Sequence, residues 1–268
     1  MSMDRLKKYT RLYRLFVAQY LKTLMQSKVD FIIGLLGYLL LQSCGIISLA
    51  LIFNQIPKLN GWDFNQLLFI YGFAQIPRGI DHLLTDNVWM ISFRMVIRGE
   101  FDRYLLRPMN PFFQLISDKF QPDALGELMM GFLLIGLSIQ KGIVEVTPLN
   151  VLLFVISIGA GALIYTDIKL FFASLAFWVK NSGGILQLAY NMSDFAKYPV
   201  SIYSTPIQLI LSPIVPFAFV AFYPASYFLT GEAALKLIGV EILIALAGWG
   251  IAYATFNKGI SIYESAGN

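Results

Sequence analysis

Apolar positions along this chain fall into long runs separated by short polar breaks, and the first run is amphipathic. In residues 6–24, Leu6, Tyr9, Leu12, Tyr13, Phe16, Tyr20 and Leu24 recur at steps of three and four, with Lys7, Arg11 and Arg14 between them. That period predicts a basic amphipathic helix within residues 1–28. Such a helix suits the interface of an anionic leaflet, and packing on a partner protein would give the same pattern. Residues 31–53 carry no charge and are long enough to span a bilayer, with Gly34, Gly37 and Gly45 offering small surfaces for close helix contact. A second span is expected over residues 64–84, interrupted by Pro77, Arg78, Asp81 and His82. After the polar interval 86–121 come a third span at 124–139 and an outer turn at 141–147. A fourth apolar stretch, 148–178, is too long for one perpendicular crossing and must tilt, kink or extend beyond the bilayer.

The remaining apolar sequence is crowded with Pro199, Pro206, Pro213, Pro216 and Pro224, which cannot all sit in one straight helix. We read 185–202 as a fifth span, 203–230 as an outer re-entrant segment with short helices at 207–222, and 235–256 as the last span. The expected architecture is therefore all-α and integral to the membrane, about six crossings in a single domain over residues 1–268. Basic residues supply the orientation. Arg5, Lys7, Lys8, Arg11, Arg14, Lys22, Lys28, Arg94, Arg98, Arg103, Arg107, Lys119, Lys180 and Lys258 fall on one side, against Lys58, Lys141 and Lys236 on the other. The excess places both termini and the 86–121 loop in the cytoplasm, which requires an even number of spans.

Composition agrees. The 268 residues are 57% hydrophobic and 13% charged, too apolar for an ordinary soluble domain. A net charge of +4 is too small for a nucleic-acid-binding surface. Cys44 is the single cysteine and His82 the single histidine, so neither a disulfide framework nor a multi-His or thiolate metal site is available within the chain. The opening MSMDRLKKYTRLYRLF lacks a signal-peptide pattern and is expected to be retained. GxxxxGK[ST], HExxH and GxSxG are all absent, so no ATPase motif, cofactor or catalytic constellation is expected in this chain.

Two sets of polar residues stand out. The first is IRGEFDRYLLRPMNPF, residues 97–112, with room for about two helical turns between Gly99 and Pro108. Phe101, Tyr104 and Leu105 would form an apolar side, and Glu100, Asp102, Arg103 and Arg107 a charged one, suited to docking on a partner. The second set is intramembrane: Arg78, Asp81, His82, Glu127, Asp167, Lys169, Asp194 and Lys197. An ionisable group in hydrocarbon costs at least about 2.5 kcal/mol, so these are functional or structurally paired residues. Arg78 with Asp81, and Asp194 with Lys197, are spaced to pair on one helix face. Most of the set is expected to snorkel or to form structural ion pairs.

The GEFDRYLLRPMNP loop, FAKYPVSIY at 195–203 and IVPFAFVAFYPASYFLTG at 214–231 resemble the permeases of type-2 ATP-binding cassette (ABC) transporters, and the likeness covers essentially the whole chain. It implies a permease half of an ABC exporter in the plasma membrane, with a second permease subunit, same or different, and separate ATPase subunits that bind ATP and Mg. It also implies that residues 99–107 are the coupling helix that sits in a cleft of the ATPase: Gly99, Glu100, Phe101, Asp102, Arg103, Tyr104, Leu105 and Arg107. Two other readings compete. A membrane-embedded lipid-modifying enzyme would use Asp81, His82 and Asp86, which lack the spacing of one site. An ion-coupled carrier would show inverted repeats, and no convincing repeat is visible.

Overall fold

The computed structural model describes residues 11–12, 28–231 and 233–265. The amphipathic segment expected within residues 1–28 lies almost wholly outside the described residues. Among the described residues every regular element is helical, as the apolar runs require: with no water to satisfy backbone groups, a segment in lipid must close its hydrogen bonds internally. From residue 28 onward the described α-helices are α1 (Lys28–Phe53), α2 (Phe64–Thr85), α3 (Asp102–Leu105), α4 (Pro111–Asp118), α5 (Leu125–Gln140), α6 (Pro148–Ser174), α7 (Ala176–Val179), α8 (Gly183–Asn191), α9 (Thr205–Leu209), α10 (Phe222–Thr230) and α11 (Ala234–Ile262). Four stretches are long and apolar enough to cross a membrane: Phe31–Phe53, Pro122–Gln140, Pro148–Val179 and Lys236–Ile262. A bent pair, Thr205–Ile214 with Phe217–Thr230, makes a fifth if counted as one span.

Local chemistry explains where the helices start and stop. Asp63 caps α2, its carboxylate accepting from the Asn65 and Gln66 amides while the Gln66 side chain accepts from the Asp63 amide. Thr147 caps α6 just before Pro148, which suits a first-turn position because it has no amide proton to lose. Gly231 ends α10 in the left-handed region at φ 72°.

Contrary to expectation, α2 runs without interruption through Pro77, Arg78, Asp81 and His82. The proline is buried against α6, where a Cβ on Gly161 would lie 3.1 Å from the Pro77 ring. A neighbouring helix thus covers the site at which the backbone loses a hydrogen bond. The expected fifth span also differs from a single helix. After α8 the chain passes into 3-10 turns at Met192–Lys197 and Val200–Ile202. Pro199 accounts for the break between the two turns, holding Tyr198 in extended backbone at φ −128°. Beyond it, α9 continues into a π turn (Ile210–Ile214), and the following segment leaves at 77°. The long fourth stretch resolves into α6 followed by the short α7.

The core is built on α2, α5, α6 and α11. The α2 and α5 backbones approach closely at Gly72 and Gly131: a Cβ on Gly131 would sit 2.5 Å from Ile76 Cγ1, and one on Gly72 2.7 Å from Leu134 Cβ. With no hydrophobic drive between helices in lipid, such close packing is a principal source of association. Gly131→Val is therefore expected to destabilise the chain by about 1–3 kcal/mol through overpacking. Gly136→Ala, on the same helix with no atom within 4 Å, should leave thermal stability in detergent unchanged. Helix α1 stands largely outside this core, with Leu40 67% and Leu41 74% exposed. A polar network ties it on: Gln42 donates to Tyr38 Oη (2.7 Å) and accepts from Gln75 (2.8 Å) and the Tyr71 hydroxyl, and Tyr38 donates to Gln75 (3.1 Å).

Candidate functional site

At one end of the helices the chain between α2 and α5 folds into a compact platform. A 3-10 turn (Asp86–Val88) and a π turn (Ile91–Met95) follow α2, and Gly99 then turns the chain at φ 67°, a conformation a side chain would strain. The expected two-turn helix contracts to the single turn of α3, because residues 98–101 are held in turns by bonds such as Phe101 N to Met95 O (3.2 Å). Its aromatic residues point inward. Phe101 and Tyr104 are fully buried, and the Phe101 ring meets Phe177 at 5.1 Å, Tyr263 at 5.6 Å and Phe256 at 6.2 Å between centroids. The loop is thereby fastened to the ends of α7 and α11.

Polar bonds complete the anchorage. Arg94 pairs with Glu100 (2.9 Å) and Arg103 with Asp118 (2.9 Å). The Tyr104 hydroxyl also donates to Asp118 (2.9 Å), and burial, with that carboxylate beside it, pushes the phenol above its ordinary range. Gln114 donates to Tyr104 O and Met109 O, Asn110 donates to Tyr253 Oη (2.7 Å), and Ser265 donates to Asp102. Exposed on this platform are Arg103, Leu105, Leu106, Arg107, Pro108 and Asn110, with Leu106 84% exposed. Sequence spacing puts Phe101, Tyr104 and Leu105 on one apolar side. The structure separates them, turning Phe101 and Tyr104 into the core and leaving Leu105 outside beside Leu106, which the sequence reading passed over. Two adjacent leucines in a loop point to different sides of a helix turn, so spacing alone gave Leu106 no place on the apolar side.

Within the helices the charged residues assemble into two groups. Asp81 pairs with Lys169 across α2 and α6 at 2.7 Å, both side chains wholly buried. The Asp81 carboxylate also accepts from Thr85 (2.6 Å), Thr166 (2.9 Å) and Tyr190 (2.8 Å), so its lone pairs are well used. The second group is more open. Arg78 bonds Asp194 (2.8 Å) and lies 3.6 Å from Glu127, which meets His82 Nδ1 at 2.9 Å, while Lys197 bonds Asp194 at 3.0 Å. The Tyr190 ring is shared by both, stacked on His82 at 5.5 Å and within 5.5 Å of the Lys169 ammonium.

Asp194 and Lys197 thus pair as their spacing suggested. Arg78 and Asp81 do not, because α6 and the 3-10 segment after α8 bring stronger partners from far along the chain. The Asp81 carboxylate is held by Lys169, Thr85, Thr166 and Tyr190, and His82 by Glu127. Among the described residues no group of His, Cys, Asp and Glu is arranged to hold a metal ion.

Asp167 stands apart. It is 5% exposed, lies between α6 and α11 against Gly248, and neither carboxylate oxygen has a hydrogen-bond partner. Glu241, which the sequence reading passed over inside the last apolar run, is fully buried on α11 and accepts from Ser157 of α6 at 2.7 Å. Its signal was available: one acid in an otherwise apolar turn of helix is a functional or packing residue by default.

A family model described as "ABC-2 family transporter protein" matches residues 39–267, from within α1 to beyond the end of α11. No curated protein matches the chain.

Proposed function

The chain belongs to the ABC-2 family of transporter proteins, and from that membership we propose that it is the permease subunit of an ATP-driven exporter, forming half of the translocation pathway. A second permease subunit, same or different, completes the pathway, and separate ATPase subunits carry ATP and Mg. The observation that carries this reading is the platform at residues 99–109: rigidly anchored through Phe101 and Tyr104, it offers Leu105, Leu106 and Arg107 outward. A small exposed apolar group on a stiff base, flanked by a cation, is what an interface hot spot requires. Closure of an ATPase against it would be passed to α7 and α11, whose Phe177 and Phe256 pack on Phe101.

Six crossings and cytoplasmic termini belong to the same proposal. To the four apolar stretches we add α2, whose hydropathy is lowered by Gln66, Gln75, Arg78, Asp81 and His82, and the stretch 183–202. Nine α-helical residues followed by 3-10 turns reach roughly 30 Å, enough for a bilayer core. The bent segment 205–230 is then re-entrant. Packing of Phe101 on Phe177 and Phe256 gathers Arg94, Arg103, Lys180 and Lys258 toward one end, which supports a cytoplasmic placement of that end.

The test is recovery of the ATPase with affinity-tagged permease from native membranes. Leu106→Asp and Arg107→Glu should each lower that association by roughly 30-fold, the equivalent of about 2 kcal/mol, without changing the permease melting curve. Normal ATPase recovery and normal ATP-driven transport in both variants would remove the coupling role from this platform.

A further inference from the structure

A cavity of about 330 Å³ lies between α6 and α11, bounded by Asp167, Phe171, Ile244, Gly248 and Ile251 and closed on one side by Pro216 after the π turn. Its size is that of a small-ligand site. Its walls are almost wholly apolar, and the exception is the Asp167 side chain, which meets no donor. Lys169, two residues along α6, is fully engaged with Asp81 and Thr85. Among the described residues no basic side chain pairs with Asp167. A carboxylate in such surroundings without a counter-charge is strongly unfavourable.

We infer that this groove is a binding site for a lipophilic cation: an apolar body in the cavity with a single ammonium group drawn to Asp167. Charge complementarity selects the head group, and the lining selects the body. Phe171 and Phe172, whose rings meet edge to face at 5.2 Å, add aromatic surface on which an alkylammonium is favourably received. Gly248 is part of the design. A Cβ there would lie 2.7 Å from Asp167 Oδ2, so glycine is what allows the carboxylate to remain at the groove wall. The head group is common to an amine-bearing lipid and to a soluble cationic amphiphile, and either would enter sideways from the bilayer, where Ile251 lies exposed. The inference needs the chain only as a membrane protein, so it stands or falls separately from coupling to an ATPase.

The experiment uses the full chain in phosphatidylcholine nanodiscs, with labelled dodecyltrimethylammonium as probe and empty nanodiscs subtracted. One saturable site per chain is expected, weakened at least about 10-fold in Asp167→Asn, which preserves shape and removes charge, and unchanged in Glu145→Gln, an exposed acid elsewhere. The neutral analogue dodecanol should not compete. Equal binding by wild type and Asp167→Asn, or equal competition by dodecanol, would overturn the assignment and leave the groove as a contact for acyl chains. Native mass spectrometry of the purified chain distinguishes the sources. An amine lipid retained by wild type and lost in Asp167→Asn identifies the lipid as occupant. An empty wild-type chain that still binds the probe identifies a soluble amphiphile.

Discussion

Lys169→Met is expected to destabilise the protein by about 3–5 kcal/mol, the largest effect of any single charge removal in the chain. The size follows from what is left behind. Asp81 would keep its hydroxyl donors from Thr85, Thr166 and Tyr190 but lose the ammonium at 2.7 Å, in a site from which solvent is excluded on both sides of the pair. The reciprocal change, Asp81→Ala, strands the Lys169 ammonium and should be comparably damaging. Removing both charges together, as Asp81→Asn with Lys169→Met, should recover most of the loss, because neither partner then remains buried and unmatched. The measurement is the fraction of monodisperse protein surviving a temperature series in detergent. A double variant whose loss equals the sum of the two single losses would show that the two side chains act independently.

Phe101→Ala should be the second large effect, at about 3–5 kcal/mol, as for other buried aromatic truncations. Its ring fills the space between Phe177, Phe256 and Tyr263, and no neighbour can collapse into the void without detaching the loop from α7 and α11. Phe101→Leu, which keeps much of the volume, should lose less. The comparison with Leu106 matters most for function. Leu106→Ala removes an 84% exposed side chain and should change stability by no more than about 0.5 kcal/mol. If Phe101→Ala weakens recovery of the ATPase, the melting curve should fall with it, whereas at Leu106 association should fail while the curve holds. A Phe101→Ala chain with an unaltered melting temperature would contradict the anchorage described for this loop.

How far the sequence could be read depended on the range of the interactions involved. Apolar runs and caps are local, so α1, α5, α6 and α11 were legible, as were the polar interval, the overlong fourth stretch and the pairing of Asp194 with Lys197. The cap at Asp63 needs only Gln66 three residues on. The path of α2 through Pro77 was not legible, because it depends on Gly161 packing there from another helix. The partners of Arg78 and Asp81 were hidden for the same reason: each is satisfied by a residue some 90 to 120 positions away. In the loop, spacing placed the aromatic residues correctly on one side but could not say whether that side faced a partner or the chain itself. The answer lay in Phe177 and Phe256, which only the fold brings near. Asp167 was singled out from its apolar context, yet its isolation could be recognised only when α11 was seen to bring it a glycine rather than a base.

The glycine contact between α2 and α5 has a mechanical corollary. Two helices whose backbones touch at Gly72 and Gly131 share load along their length and resist bending as one beam. The stretch from 183 to 230 is built differently, starting a new short helical segment at Met192, Val200, Ile210 and Phe217 and turning by 77° on the way. Joints of that kind have few continuous i to i+4 bonds to oppose rotation, so compliance concentrates in them. If an ATPase docks at the loop as proposed, a push there would be carried along the paired helices, and bending would concentrate in the jointed segment.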